Sequence, residues 1–90
     1  MDVYAAIAEM RRISAGGGTF SLKHRKWDRS RDKGGDLVHV SAARLRPAAA
    51  DEQVADSGFK LFYTDTQTGQ ARTCWQMLLT EFDGHPLQLN

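Results

Sequence analysis

The first pattern along the chain is a helical one. Four apolar residues recur at spacings of four, three and three, which places them on one face of a helix: Val3, Ile7, Met10 and Ile13. We predict this helix over Asp2–Ser14. Asp2 is suited to cap its first amides, and Gly16, the first of three glycines, is suited to end it in the left-handed conformation. So narrow an apolar stripe needs a sheet to pack against.

After the glycines the period changes to two, which predicts strands. In the first strand Phe20, Leu22 and His24 share a face. In the second strand the pattern does not decide which face is buried, because both alternating sets contain apolar residues. In the third, Phe59, Leu61 and Tyr63 share a face. The predicted strands are Thr19–Trp27, Leu37–Leu45, Phe59–Asp65, a stretch from Gln70 to Phe82, and Pro86–Leu89.

Residues 72–82 fit two interpretations. One is a strand with a bulge near Gln76–Leu78, and the other is a helix carrying an apolar stripe. The pair Asp83-Gly84 is typical of a two-residue hairpin turn, which favours the strand. The helix stays open as the alternative.

Together these elements predict one α+β domain over residues 1–90. Its N-terminal helix precedes an antiparallel meander of about five strands, either lying under the helix or curled into a small barrel. Aromatic residues on both faces of the third strand indicate that the sheet curls or that one face meets a partner.

Charge is divided unevenly along the chain, although the net charge is only +1. Residues 1–47 hold ten Lys/Arg and five Asp/Glu, a balance of +5, whereas residues 48–90 hold two and six, a balance of −4. Such asymmetry is compatible with attraction between the two halves, with self-association or with a binding face.

The single cysteine, Cys74, excludes an intramolecular disulfide. Neither a signal peptide nor an apolar run of about 20 residues is evident, so we expect a cytoplasmic protein without a membrane segment. No cofactor is predicted.

A basic hairpin around a nine-residue tip, residues 28–36, is the candidate binding site. Its cations suit phosphates, and an exposed indole can stack on a base. Asp28, Asp32 and Asp36 interrupt the positive charge and would repel a phosphate backbone, so a solvated hairpin end is the favoured interpretation, ahead of a protein-binding tip and of nucleic-acid binding. The candidate residues are Lys23, Arg25, Lys26, Trp27, Arg29, Arg31 and Lys33.

Catalytic and metal-binding patterns do not emerge from the sequence. The three histidines lack metal-ligand spacing, although His24 and His39 are expected to face each other across the first hairpin as a structural pair. Cys74 has no base nearby in the sequence and is predicted to be a buried core thiol.

Several short segments resemble a group of short uncharacterised proteins of gut-bacterial prophages and related mobile elements. They are Trp27-Asp28-Arg29-Ser30, Gly35-Asp36-Leu37-Val38, Ala43-Arg44-Leu45-Arg46, residues 60–65 and residues 78–84. The resemblance covers nearly the whole chain and implies a small virion-assembly or accessory protein, with no catalytic residue to carry over.

The function expected from these observations is that of a non-enzymatic protein-binding or assembly module, cytoplasmic or virion-associated. The partner would be another protein or a second copy. The alternative is a nucleic-acid-binding accessory protein that uses the basic hairpin over residues 23–33.

Overall fold

The computed structural model describes residues 1–28, 33–48 and 57–88. One helix is followed by a six-stranded antiparallel sheet that is not closed into a barrel, so the predicted α+β class is confirmed. The elements are α1 Val3–Ala15, β1 Phe20–Asp28, β2 Lys33–Leu45, β3 Lys60–Asp65, β4 Gln70–Trp75, β5 Leu79–Phe82 and β6 His85–Pro86, with 3-10 turns at Ser57–Phe59 and Gln76–Leu78.

The strand order across the sheet is β4-β3-β2-β1-β5-β6. Strands β1 to β4 form the expected meander. Strand β5, however, pairs with β1 on the side away from β2, so the meander does not continue from β4 to β5. The 3-10 turn Gln76–Leu78 redirects the chain between them. Residues 72–82 are therefore two strands joined by a turn, neither one bulged strand nor a helix.

Helix α1 buries the predicted apolar face, and Asp2 caps it by accepting a hydrogen bond from the Ala5 amide at 3.3 Å. The prediction for its C-terminal end was off by one residue. Gly16 has a φ of −84°, whereas Gly17, at +81°, adopts the left-handed conformation. The Gly16 amide still bonds helical carbonyls, so the backbone reverses its handedness only at the following residue.

The core lies between α1 and one face of the sheet. Strand β1 contributes Phe20, Leu22 and His24 to it, as the alternation predicts. Along β2 the buried positions switch from even-numbered to odd-numbered residues. The switch occurs because Leu22 pairs with Val40 while Phe20 pairs with Ala43, so β2 has one extra residue between the two pairs. This bulge turns Val40 and Ala43 to the same interior and explains why two-residue alternation did not settle the face.

The hairpin of β1 and β2 is longer than predicted. Pairing continues through Trp27 with Gly34 to Asp28 with Lys33, so most of the predicted nine-residue tip belongs to the ladder. The remaining tip residues, 29–32, lie outside the described part of the chain.

The turn at Asp83-Gly84 confirms the hairpin predicted there. Both residues have positive φ, 45° and 84°, as a type I′ turn requires. The Asp83 carboxylate also accepts a hydrogen bond from the Ser21 amide at 2.8 Å, which ties this turn to the start of β1. Strand β6 is shorter than the predicted Pro86–Leu89, and Leu89 lies outside the described residues.

Among the described residues, no helix combines the length and apolar character that a membrane crossing requires.

Candidate functional site

A groove of about 270 Å³ lies between β1 and the hairpin of β3 and β4. It forms because β5 pairs with β1 only over residues 22–24, so the rest of β1 runs past the end of β5. Strand β4 is at the edge of the sheet and lines the other side. We call this the cationic groove; it is lined by His24, Arg25, Lys26, Trp27, Lys60, Arg72, Thr73, Cys74 and Trp75.

Four of those nine residues are lysines or arginines. Arg25 and Lys26 come from β1, while Lys60 and Arg72 come from β3 and β4. None of the described residues that line the groove is a carboxylate. Like charges so placed raise the local potential and attract an anion.

Both tryptophans of the chain line this groove. Trp27 is 42% exposed, and the Lys60 ammonium lies 5.0 Å from the centre of the Trp75 ring. That distance is within the range of a cation–π contact. The groove thus combines positive charge with two indole surfaces.

His24, which lines the groove, is paired with Tyr63, which is fully buried. The His24 Nε2 and the Tyr63 hydroxyl are 2.8 Å apart. His24 Nδ1 faces the Arg25 carbonyl at 3.4 Å, and a carbonyl can only accept, so Nδ1 carries the proton and Nε2 accepts from Tyr63.

Burial keeps both partners of this pair neutral. It lowers the pKa of His24 below 6.5, assisted by the positive charges of Arg72 and Lys26, and outweighs the opposing hydrogen bond to the Arg25 carbonyl. Burial raises the pKa of Tyr63 to about 12. The charge of the groove at neutral pH therefore comes from its lysines and arginines.

Cys74 is buried, as predicted, and lies at the inner wall of the groove. Burial raises the pKa of its thiol to about 12, so it is protonated at neutral pH and is a poor nucleophile.

The structure separates the residues that the sequence grouped into one basic hairpin. Arg25, Lys26 and Trp27 line the groove. Lys23 instead forms an ion pair with Glu81 at 3.1 Å, which joins the basic and acidic halves of the chain. Arg29 and Arg31 lie outside the described residues, and for Lys33 the structure describes only its backbone, at the start of β2.

The sequence analysis missed Lys60, Arg72 and Trp75. Lys60 and Arg72 are the only cations of residues 48–90, and the fold brings both to the groove. The hairpin of β3 and β4 carried one local signal for the contact between Lys60 and Trp75, because these two residues are register partners across it. Their approach to β1 depends on the strand order of the sheet and on where β5 pairs with β1, which no local pattern encodes.

Two further concavities adjoin the groove. A cleft of about 240 Å³ lies between Trp27, Trp75 and Met77. It leads to a larger one of about 360 Å³, which we call the apolar hollow. The hollow is lined by Val3, Tyr4, Phe59, Trp75, Gln76 and Met77.

The prediction that His24 and His39 face each other across the first hairpin is wrong. His39 is the register partner of Lys23, whereas His24 is opposite Val38, so the two imidazoles belong to opposite faces of the hairpin. His24 is buried and His39 is accessible. Within the described ranges, no cluster of three or more His, Cys, Asp or Glu is arranged to hold a metal ion.

Comparison of the chain with protein-family models, with curated proteins and with solved structures finds no match.

Proposed function

We propose that this protein is a non-enzymatic binding module that takes nucleic acid into its cationic groove. The observation that carries the proposal is the composition of the groove: four cations, two indoles and, among its described lining residues, no carboxylate. Lysines and arginines bind the phosphates of a nucleic acid, and exposed aromatic rings stack on its bases.

Two features of the sequence bear on this choice. Asp28, Asp32 and Asp36 counted against a phosphate backbone at the hairpin tip, and of Asp28 the structure describes only the backbone. Asp36 is exposed on β2 and is not among the lining residues, while Asp32 lies outside the described chain. The accessory role implied by the prophage resemblance, in the cytoplasm or in a virion, is compatible with nucleic-acid binding.

The test is a titration of a fluorescently labelled oligothymidylate of about twelve nucleotides, followed by anisotropy between about 50 and 200 mM salt. We expect binding that weakens with salt. The double variant Lys60→Gln/Arg72→Gln should bind less tightly and show a shallower salt dependence, by about 0.7 in logarithmic slope per lost phosphate contact.

The matched control is Arg11→Gln/Arg12→Gln, which removes the same charge from α1 outside the groove. It should leave the affinity close to that of the unmodified protein. Absence of binding at the lowest salt, or equal losses in both double variants, would contradict the proposal.

A second candidate function is that of a protein-binding or assembly module. It is favoured by the exposure of Tyr4, Phe59 and Met77 around the apolar hollow, each more than 60% accessible. Self-association through the two oppositely charged halves would weaken with salt. Light scattering at low and high salt distinguishes this candidate, and a monomer under both conditions would count against self-association.

A further inference from the structure

We infer that the ligand of the cationic groove is a single strand, and that the apolar hollow receives its unstacked bases. This inference rests on the proposed function, because it extends the same site. It is argued from one continuous surface, which has cations at the cationic groove and aromatic and apolar side chains at the apolar hollow.

The continuity is given by shared residues. The cationic groove and the cleft both contain Trp27 and Trp75, and the cleft and the hollow both contain Trp75 and Met77. A strand whose phosphates lie at Arg25 and Lys60 therefore has apolar surface directly beside it.

The hollow is held in place by two 3-10 turns. The side-chain amide of Gln76 donates to the carbonyls of Gly58, at 3.4 Å, and Lys60, at 3.1 Å. These bonds fasten the turn that carries Phe59 to the turn that carries Met77. The positions of Phe59 and Met77 in the hollow are thus fixed relative to each other by side-chain-to-backbone hydrogen bonds.

The chemistry of the hollow selects the form of the nucleic acid. Paired bases in a duplex hide their faces in the stack, whereas an unpaired strand offers them to aromatic side chains. Phe59 is 68% exposed and Tyr4 is 62% exposed, so both rings are accessible to an incoming base. The occupant is therefore a base of a single strand.

The experiment compares three ligands of equal length: oligothymidylate, the same deoxyribose-phosphate chain without bases, and a duplex. For the unmodified protein we expect oligothymidylate to bind about tenfold more tightly than the abasic strand, the size of one stacking contact. The variant Phe59→Ala should lose that preference while keeping the salt dependence of binding. Because Phe59 is exposed, its truncation leaves the core intact.

Leu37→Ala is the control, because Leu37 is half exposed and does not belong to the hollow. It should keep the preference for bases. Equal affinity for the abasic strand, duplex binding as tight as single-strand binding, or an unchanged preference in Phe59→Ala would overturn the inference while the proposed function stands. If neither strand binds at low salt, the proposed function itself fails.

Light scattering on the same variants tests the other occupant. A change of oligomeric state in Phe59→Ala without a change in base preference would assign the hollow to a second copy and overturn the inference.

Discussion

Replacing Tyr63 by phenylalanine removes a single hydroxyl from the centre of the core. Tyr63 is fully buried and His24 is only 3% exposed, so water does not readily take the place of the lost donor. The His24 Nε2, now 2.8 Å from the hydroxyl, would be left without its partner. An unsatisfied buried polar group costs about 1–3 kcal/mol of unfolding free energy. In a domain of this size each kcal/mol lowers Tm by about 4–8 °C.

The pH dependence of the same pair gives a second readout. Because the pKa of folded His24 is lowered below 6.5, the unfolded chain binds a proton where the folded chain does not. The free energy of unfolding therefore falls as pH drops through 6.5 toward the lowered pKa, by at most about 1.4 kcal/mol per pH unit. Tyr63→Phe removes a bond that favours neutral His24, so its stability should fall less steeply with acidification.

The assay is urea unfolding at several pH values between about 7.5 and 5. Tyr4→Phe is the matched control, because Tyr4 is exposed, and it should change stability by no more than about 0.5 kcal/mol. If Tyr63→Phe is as stable as the unmodified protein, or if the two lose stability equally as pH falls, our account of the buried pair is refuted.

Three further predictions concern the fold. Leu22→Ala should lower the free energy of unfolding by about 2–5 kcal/mol because Leu22 is buried. Leu37→Ala should change that free energy little because Leu37 is half exposed, and similar losses for the two variants in urea denaturation would contradict the assigned core. Gly84→Ala should cost about 1 kcal/mol or more because Gly84 has a φ of 84°, and an unchanged urea midpoint would argue against the left-handed turn. Cys74 should resist a disulfide reagent at about pH 8 until the chain unfolds, since burial raises its pKa to about 12; rapid labelling of folded protein would show an accessible thiolate.

Sequence patterns predicted those features that depend on neighbouring residues. The helix follows from its four-three-three spacing, the buried face of β1 from alternation, and the turn at Asp83-Gly84 from its need for positive φ. The face of β2 was not predictable by alternation, because the bulge opposite residues 20–22 shifts the period by one.

The placement of β5 and the cationic groove depends on contacts between distant residues. Nothing local indicates that the chain after Trp75 crosses to β1, because the alternation of a strand fixes which of its faces is buried but does not name the strand that it pairs with. That crossing leaves the end of β1 open beside β4, where Arg25 and Arg72 line the same groove. The basic hairpin therefore predicted the groove only in part. It contains two of the four groove cations, Arg25 and Lys26, but it also includes Lys23, which forms an ion pair with Glu81 instead.

Intrinsic tryptophan fluorescence gives the most direct test of the groove, since Trp27 and Trp75 are the only indoles in the chain. Two variants, Trp27→Phe and Trp75→Phe, each leave one reporter in the groove. We predict that oligothymidylate quenches the remaining indole in both variants at low salt, and that added salt reverses the quenching. Binding detected by anisotropy with neither indole quenched would place the ligand elsewhere on the molecule and contradict the account.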